Sequence, residues 1–279
     1  MYPSKTLAVT ALAFGLSAAA ATPNLVKRSP PAEEINGTYV VDRQAEFANH
    51  VSWNFQSGQL PSWLWRSNYA VGDNSRVFVP ENAILRDGYL DLLVNGGQTA
   101  RPYRSAEIVT IANNIRYASV RTVAILTEPA GVCNGKTQRV PTKVRFLTVA
   151  TGMFFYQSDS QETDIEWLSD ASSGSNRGTR WLWLTNQDTN GDGSTHNTVY
   201  PPANPTVQEH EYRLDWTEGL VRWFVDGVQV WQTTQDVPTA AGPWVWNNWS
   251  NGDPQWSVGP PAVDAVFRIR SIEMYYNTA

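Results

Sequence analysis

Glu162, Asp164 and Glu166 occupy every second position of the stretch Gln161-Glu-Thr-Asp-Ile-Glu-Trp167. Thr163, Ile165 and Trp167 fill the positions between. Successive side chains of a strand point to opposite faces, so this spacing predicts a β-strand with carboxylates on one face and bulkier groups on the other. Like charges on one strand face repel each other, and fold stability does not ask for them. An exposed strand would more usually mix in Lys, Thr or Ser. Clustered carboxylates suit glycosidic bond cleavage, in which one attacks or activates water and another protonates the leaving oxygen. A third between them can push the two pKa values apart. Cα atoms four residues apart on a strand are separated by about 13 Å. Retaining enzymes hold their carboxyl groups roughly 5–5.5 Å apart, and inverting ones roughly 6.5–9.5 Å. Side chains leaning together on a curved strand close that gap, and the spacing leaves both outcomes open.

The elements that must position these groups read as short strands. Segments 76–79, 82–86, 89–94, 105–111, 117–126, 180–184, 211–216, 220–225, 228–231, 244–249 and 265–275 are apolar or alternate apolar with polar. Asp87-Gly88 and Asp226-Gly227 are tight hairpin signals. With few helical stretches, the pattern predicts an all-β sandwich or jelly roll. Trp181 and Trp183 share a face, with core and substrate groove both open to them. Segment 186–197 is polar. Its Asp188 to Asp192 part has calcium-loop chemistry in miniature and reads as a solvated turn.

The chain has 279 residues, 42% of them hydrophobic, and a net charge of −5. No basic stripe is present, which excludes nucleic acid as the expected partner. The 13 Trp are expected both in the core and against sugar rings. Lys5, an apolar run from Leu7 to Leu16 and the small residues Ser17 to Ala21 describe a secretory signal over 1–21, too short to span a membrane. Residues 22–40 read as a propeptide or linker holding the dibasic pair Lys27-Arg28 and the sequon Asn36-Gly-Thr38. The catalytic domain is then 41–279. The expectation is a secreted monomer without membrane contact and without a cofactor; a structural calcium is not assignable. The single cysteine, Cys133, reads as a buried free thiol.

Glu162-Thr-Asp-Ile-Glu166 resembles the Glu-x-Asp-x-Glu signature of glycoside hydrolase family 16, the lichenase, laminarinase and transglycosylase group. Four further matches run in the family's order: Ser105-Ala-Glu-Ile108, His210-Glu-Tyr-Arg-Leu-Asp-Trp216, Val225-Asp-Gly227 and Trp246-Asn-Asn-Trp249. Together they cover roughly 45–277. The resemblance implies a concanavalin A-like β-jelly roll of two antiparallel sheets. It also implies retaining hydrolysis of β-1,3 or β-1,3-1,4 glucan, with Glu162 as nucleophile, Asp164 as its electrostatic helper and Glu166 as general acid/base. Glu107, Asn247 and Trp249 match substrate positions, and Trp181 and Trp183 are added to that set. Val109 stands where lichenases often carry Arg, which speaks against lichenase-type specificity. Asn247 and Trp249 share a face, so Asn248 points to the core and its sequon is discounted. The other readings are a cell-wall transglycosylase of the same family and a lectin-like binding module, against which the all-acidic triad argues.

Segment 136–151 departs from this pattern. It holds Lys136, Arg139, Lys143 and Arg145 and no acid, so its removal would take the charge from −5 to −9. Gly135-Lys136 can be encoded GGTAAG, a splice donor. Leu147-Thr148 can be encoded as a branch point, and Thr151-Gly152 as the acceptor ACAGG. The segment reads as a candidate retained intron whose excision leaves Cys133-Asn-Gly-Met-Phe-Phe-Tyr.

Overall fold

The computed structural model describes residues 28–134 and 153–279. The signal segment and the candidate intron lie outside the described residues. Among the described residues, two large sheets form the body. One has ten strands, running in the order Thr195–Val199, Leu182–Asn186, Gln161–Leu168, Met153–Ser158, Trp244–Asn248, Tyr103–Thr110, Arg76–Phe78 and Tyr69–Ala70. The short strands Cys133–Asn134 and Leu64–Arg66 join it from the side. The other has eight strands, among them Leu220–Val225, His210–Thr217, Ile115–Ile125 and Ala265–Thr278. The all-β sandwich predicted from alternation is what forms. One ladder differs from the antiparallel expectation: Arg76–Phe78 runs parallel to Tyr103–Thr110.

The sheets face each other across a core that alternation supplies from both sides. Ile108, Ile165, Trp167, Leu182 and Trp246 come from one, and Val120, Leu214, Trp216, Trp223 and Ile269 from the other. A buried indole N–H needs an acceptor, because leaving one unmade costs about 1–3 kcal/mol. Each of these four finds one. Trp246 donates to Thr122 Oγ1 (2.8 Å), Trp167 to the Thr127 carbonyl (2.9 Å), Trp216 to the Pro238 carbonyl (2.8 Å) and Trp223 to the Asp164 carbonyl (2.9 Å). The last bond crosses the sandwich and fixes the carboxylate strand from behind.

Both hairpin signals form two-residue turns with left-handed central residues: φ is 53° and 77° at Asp87-Gly88, and 50° and 74° at Asp226-Gly227. The linker expected over 22–40 is corrected in its second part. Glu33–Ile35, Thr38–Val41 and Ala45–Phe47 form a three-stranded sheet, with Asn36 exposed at its first turn. Its apolar face (Val41, Ala45 and Phe47) packs on Tyr275. Asp42 also reaches the buried Arg213, whose Nη2 donates to Asp215 as well (both 2.5 Å). Pro and Glu around this segment hid an apolar alternation that only has meaning once Tyr275 lies beneath it. His210 is fixed between the Asp226 carboxylate (2.7 Å) and the Ala203 carbonyl (2.9 Å), a structural role on the sheet away from the carboxylates.

Candidate active site

The carboxylate strand, Gln161–Leu168, is built as its alternation requires. Thr163, Ile165 and Trp167 are buried, the last two in the inter-sheet core. Glu162, Asp164 and Glu166 therefore stand on the opposite face of the ten-stranded sheet. Cross-strand partners share a face, so the registers name the neighbours. Glu162 lies opposite Tyr156, Asp164 between Phe154 and Thr185, and Glu166 opposite Trp183. Further along the same face, Asn247 lies opposite Glu107, and Val109 opposite Val245. Gln187, from the polar segment 186–197, donates from Nε2 to Asp164 Oδ2 (3.3 Å) and is itself held by Ser194 Oγ (2.9 Å).

Glu107 and Asn247 form one buried unit. Asn247 Nδ2 donates to Glu107 Oε2 (2.8 Å), while Ser67 Oγ (2.6 Å) and Tyr69 OH (2.9 Å) donate to Oε1. Burial raises the Glu107 carboxyl from 4.5 to about 7, outweighing the lowering by these donors and by Arg76. Burial lowers Arg76 in turn to about 10. Ser67, Tyr69 and Arg76 were not legible as site residues, because they come to Glu107 from three short strand segments, Ser67 beside an antiparallel pairing and Arg76 on a parallel one, and carry no motif of their own.

The structure thus gathers Glu162, Asp164, Glu166, Glu107, Asn247 and Trp183 on one face. Trp183 is half-buried. Its indole packs against Trp256 (centroids 5.3 Å apart) and His196 (5.7 Å), and its N–H donates to Asn176 Oδ1 (3.3 Å). Trp181 lies just before the Leu182–Asn186 strand, half-buried against Tyr200 (4.5 Å). Trp249 differs from its expectation as a sugar contact. Its ring is fully buried among Phe78, Cys133 and Leu168, with the Arg76 guanidinium over it (4.3 Å). Tyr69, Trp183 and Trp256 pack against the same cluster, so the ring supports the face rather than lying open on it. Asn248 points to the core and donates to the carbonyls of Leu92 (2.8 Å) and Ala265 (2.9 Å), so its amide is unavailable to a glycan. Cys133 is buried and free, and burial raises its thiol well above its ordinary value. Elsewhere, ligand atoms of Asp188, Asp192 and Asp236 lie within 4.8 Å of one another. Asp236 already accepts from Thr189 N and Oγ1 and from Thr195 Oγ1.

A two-sheet sandwich with a carboxylate row on its outer sheet face defines the class. Comparison with known proteins then adds a family match over part of the chain. Residues 146–255 match the model for glycosyl hydrolases family 16, and they include the carboxylate strand and Trp244–Asn248. The resemblance to that family is thereby shown. A xylanase/beta-glucanase of Ruminococcus flavefaciens is 35% identical over 65 residues, covering 23% of this chain and 8% of that protein. A beta-glucanase of Paenibacillus polymyxa is 31% identical over 65 residues, 23% of this chain and 27% of that protein. The match therefore spans only a small part of these relatives. In fold, the chain resembles a prokaryotic beta-1,3-1,4-glucanase (lichenase) from a mouse hindgut metagenome, with TM-score 0.60 and 16% identity over 82% of this chain and 99% of that one. The laminarinase catalytic domain of Thermotoga petrophila gives 0.60 at 16%, over 82% and 96%. The Crh5 transglycosylase gives 0.54 at 17%, over 82% and 85%.

Proposed function

We propose that this protein is a β-glucan hydrolase acting by double displacement. The observation that carries the reading is the row Glu162, Asp164 and Glu166 on one sheet face, beside the Asn247–Glu107 pair. In the first step Glu162 attacks the anomeric carbon, the C–O bond to the leaving sugar breaks, and Glu166 gives its proton to that oxygen. In the second, Glu166 takes a proton from water, the water oxygen bonds to the anomeric carbon, and Glu162 leaves. Asp164, held by Gln187 and by the Trp223 bond to its own backbone carbonyl, keeps negative charge between the two and separates their proton affinities. Trp183, opposite Glu166, offers the apolar surface that sugar rings stack on. A sugar hydroxyl in place of water in the second step would make the same site a transglycosylase. Product analysis on laminarin, lichenan, xyloglucan and chitin tests the reading. Laminarin or lichenan should give shorter oligosaccharides that first appear as the β-anomer. Release of the α-anomer, or no cleavage of any of the four, would overturn it.

Secretion and removal of the leader belong to the same proposal. Arg28 is exposed, whereas Ser29 is buried and donates its N–H to Glu211 Oε1 at 2.8 Å. Cleavage after Lys27-Arg28 would turn that N–H into an ammonium already seated on a buried carboxylate, a charge-assisted and stronger bond. N-terminal sequencing of the secreted protein should read Ser29 first. A mature chain beginning upstream of Lys27 would sink this assignment.

A further inference from the structure

The strands Cys133–Asn134 and Met153–Ser158 are two pieces of one ladder position. Both pair antiparallel with the carboxylate strand on one side. Asn134 lies opposite Trp167 and Met153 opposite Ile165, so the residue skipped between them is Glu166. Both also meet the Trp244–Asn248 side. Cys133 bridges Trp249 with two backbone hydrogen bonds (2.9 and 3.1 Å), and Met153 lies opposite Trp246. Counting inward from these bridges sets Asn134 beside Asn248 and leaves Asn247 facing the skipped position. The side chains agree, since Asn134 Nδ2 donates to Asn248 Oδ1 at 2.9 Å. Two independent registers thus leave room for a single residue between Asn134 and Met153, in line between them, where the chain has residues 135–152.

We infer that the working form of this protein has one glycine there, and that the other seventeen residues are intron-encoded. The count matches the splice signals. A donor inside the Gly135 codon and an acceptor inside the Gly152 codon fuse the two into one glycine codon and keep the frame. Removal of sixteen or eighteen residues would leave two residues or none, and a one-residue error sends every side chain beyond it to the opposite face. Here Phe154 and Tyr156 would leave the carboxylate face, and Phe155 would leave the core. The retained residue sits between Glu166 and Asn247, on their face. Glycine there puts no side chain between the proposed acid/base and the Asn247–Glu107 pair, and in that respect the inference rests on the proposed function.

The experiment compares the chain as it stands with a form lacking residues 135–151, which keeps Gly152 as the single link. Joining the two strand pieces by one residue in place of eighteen should raise the melting temperature by roughly 5–10 °C. It should also raise laminarin cleavage at least about tenfold, through a site no longer interrupted beside Glu166. Sequencing the transcript should find a message in which the Asn134 codon, one glycine codon and the Met153 codon are consecutive. An equal or lower melting temperature, or a message that always retains the seventeen codons, overturns the inference. A higher melting temperature without cleavage of any glucan leaves the strand inference standing and removes the hydrolase reading instead.

Discussion

Glu162→Gln is expected to cut glucan cleavage by about 10³-fold or more while the melting temperature stays within a few degrees. The amide keeps the size and most of the hydrogen bonding of the carboxylate but cannot form the ester to the anomeric carbon. The strand itself should not notice. Its ladder to Met153–Ser158 is made by backbone groups, and its anchoring side chains, Ile165 and Trp167, lie on the other face. Turnover on laminarin and a thermal melt check this together. Glu166→Ala sharpens the assignment, because an activated aryl glucoside needs no acid for its leaving group. The first step should then survive and the second stall, giving a burst of aryl alcohol. Wild-type turnover in Glu162→Gln would exclude this carboxylate as the nucleophile.

Glu107→Gln should remove a pH dependence of stability, and its sign follows from the raised carboxyl. The folded protein holds the Glu107 proton up to about pH 7, whereas the unfolded chain releases it near 4.5. Between these values the folded state binds more protons, so stability falls as pH rises. The contribution is fully present below 4.5 and gone above 7. For a fully buried group this amounts to about 3 kcal/mol, or some 5–10 °C in melting temperature for a protein of this size. The glutamine variant keeps an oxygen for the Ser67 and Tyr69 donors and has nothing to titrate. Melts of both proteins between pH 4 and 8 should separate progressively from pH 4.5 to 7 and run parallel above 7, with the variant relatively more stable at the alkaline end. Curves parallel over the whole range would mean that Glu107 is ionised throughout and that its donors, not burial, set its state. The same substitution replaces the carboxyl oxygen that accepts from Asn247, so KM should rise more than kcat falls.

The sequence by itself determined the carboxylate row. A period of two fixes which side chains share a face whatever the strand pairs with, so Glu162, Asp164 and Glu166 were a unit before any fold was known. Hairpins closed by Asp-Gly were legible for the same reason, since their geometry is set within four residues. The N-terminal sheet was not, because its apolar face has meaning only against Tyr275, more than two hundred residues away. Nor was the support of Glu107 by Ser67, Tyr69 and Arg76, which depends on short pairings, one of them parallel, that no local pattern announces. Trp249 shows the converse: its alternation with Asn247 was read correctly as a shared face, but burial was decided by the side chains that pack around it. The misfit of residues 136–151 could be suspected from charge and codons. Its length became a definite quantity only when two neighbouring strands fixed the register on both sides, because hydrogen-bonded ladders count residues and sequence patterns do not.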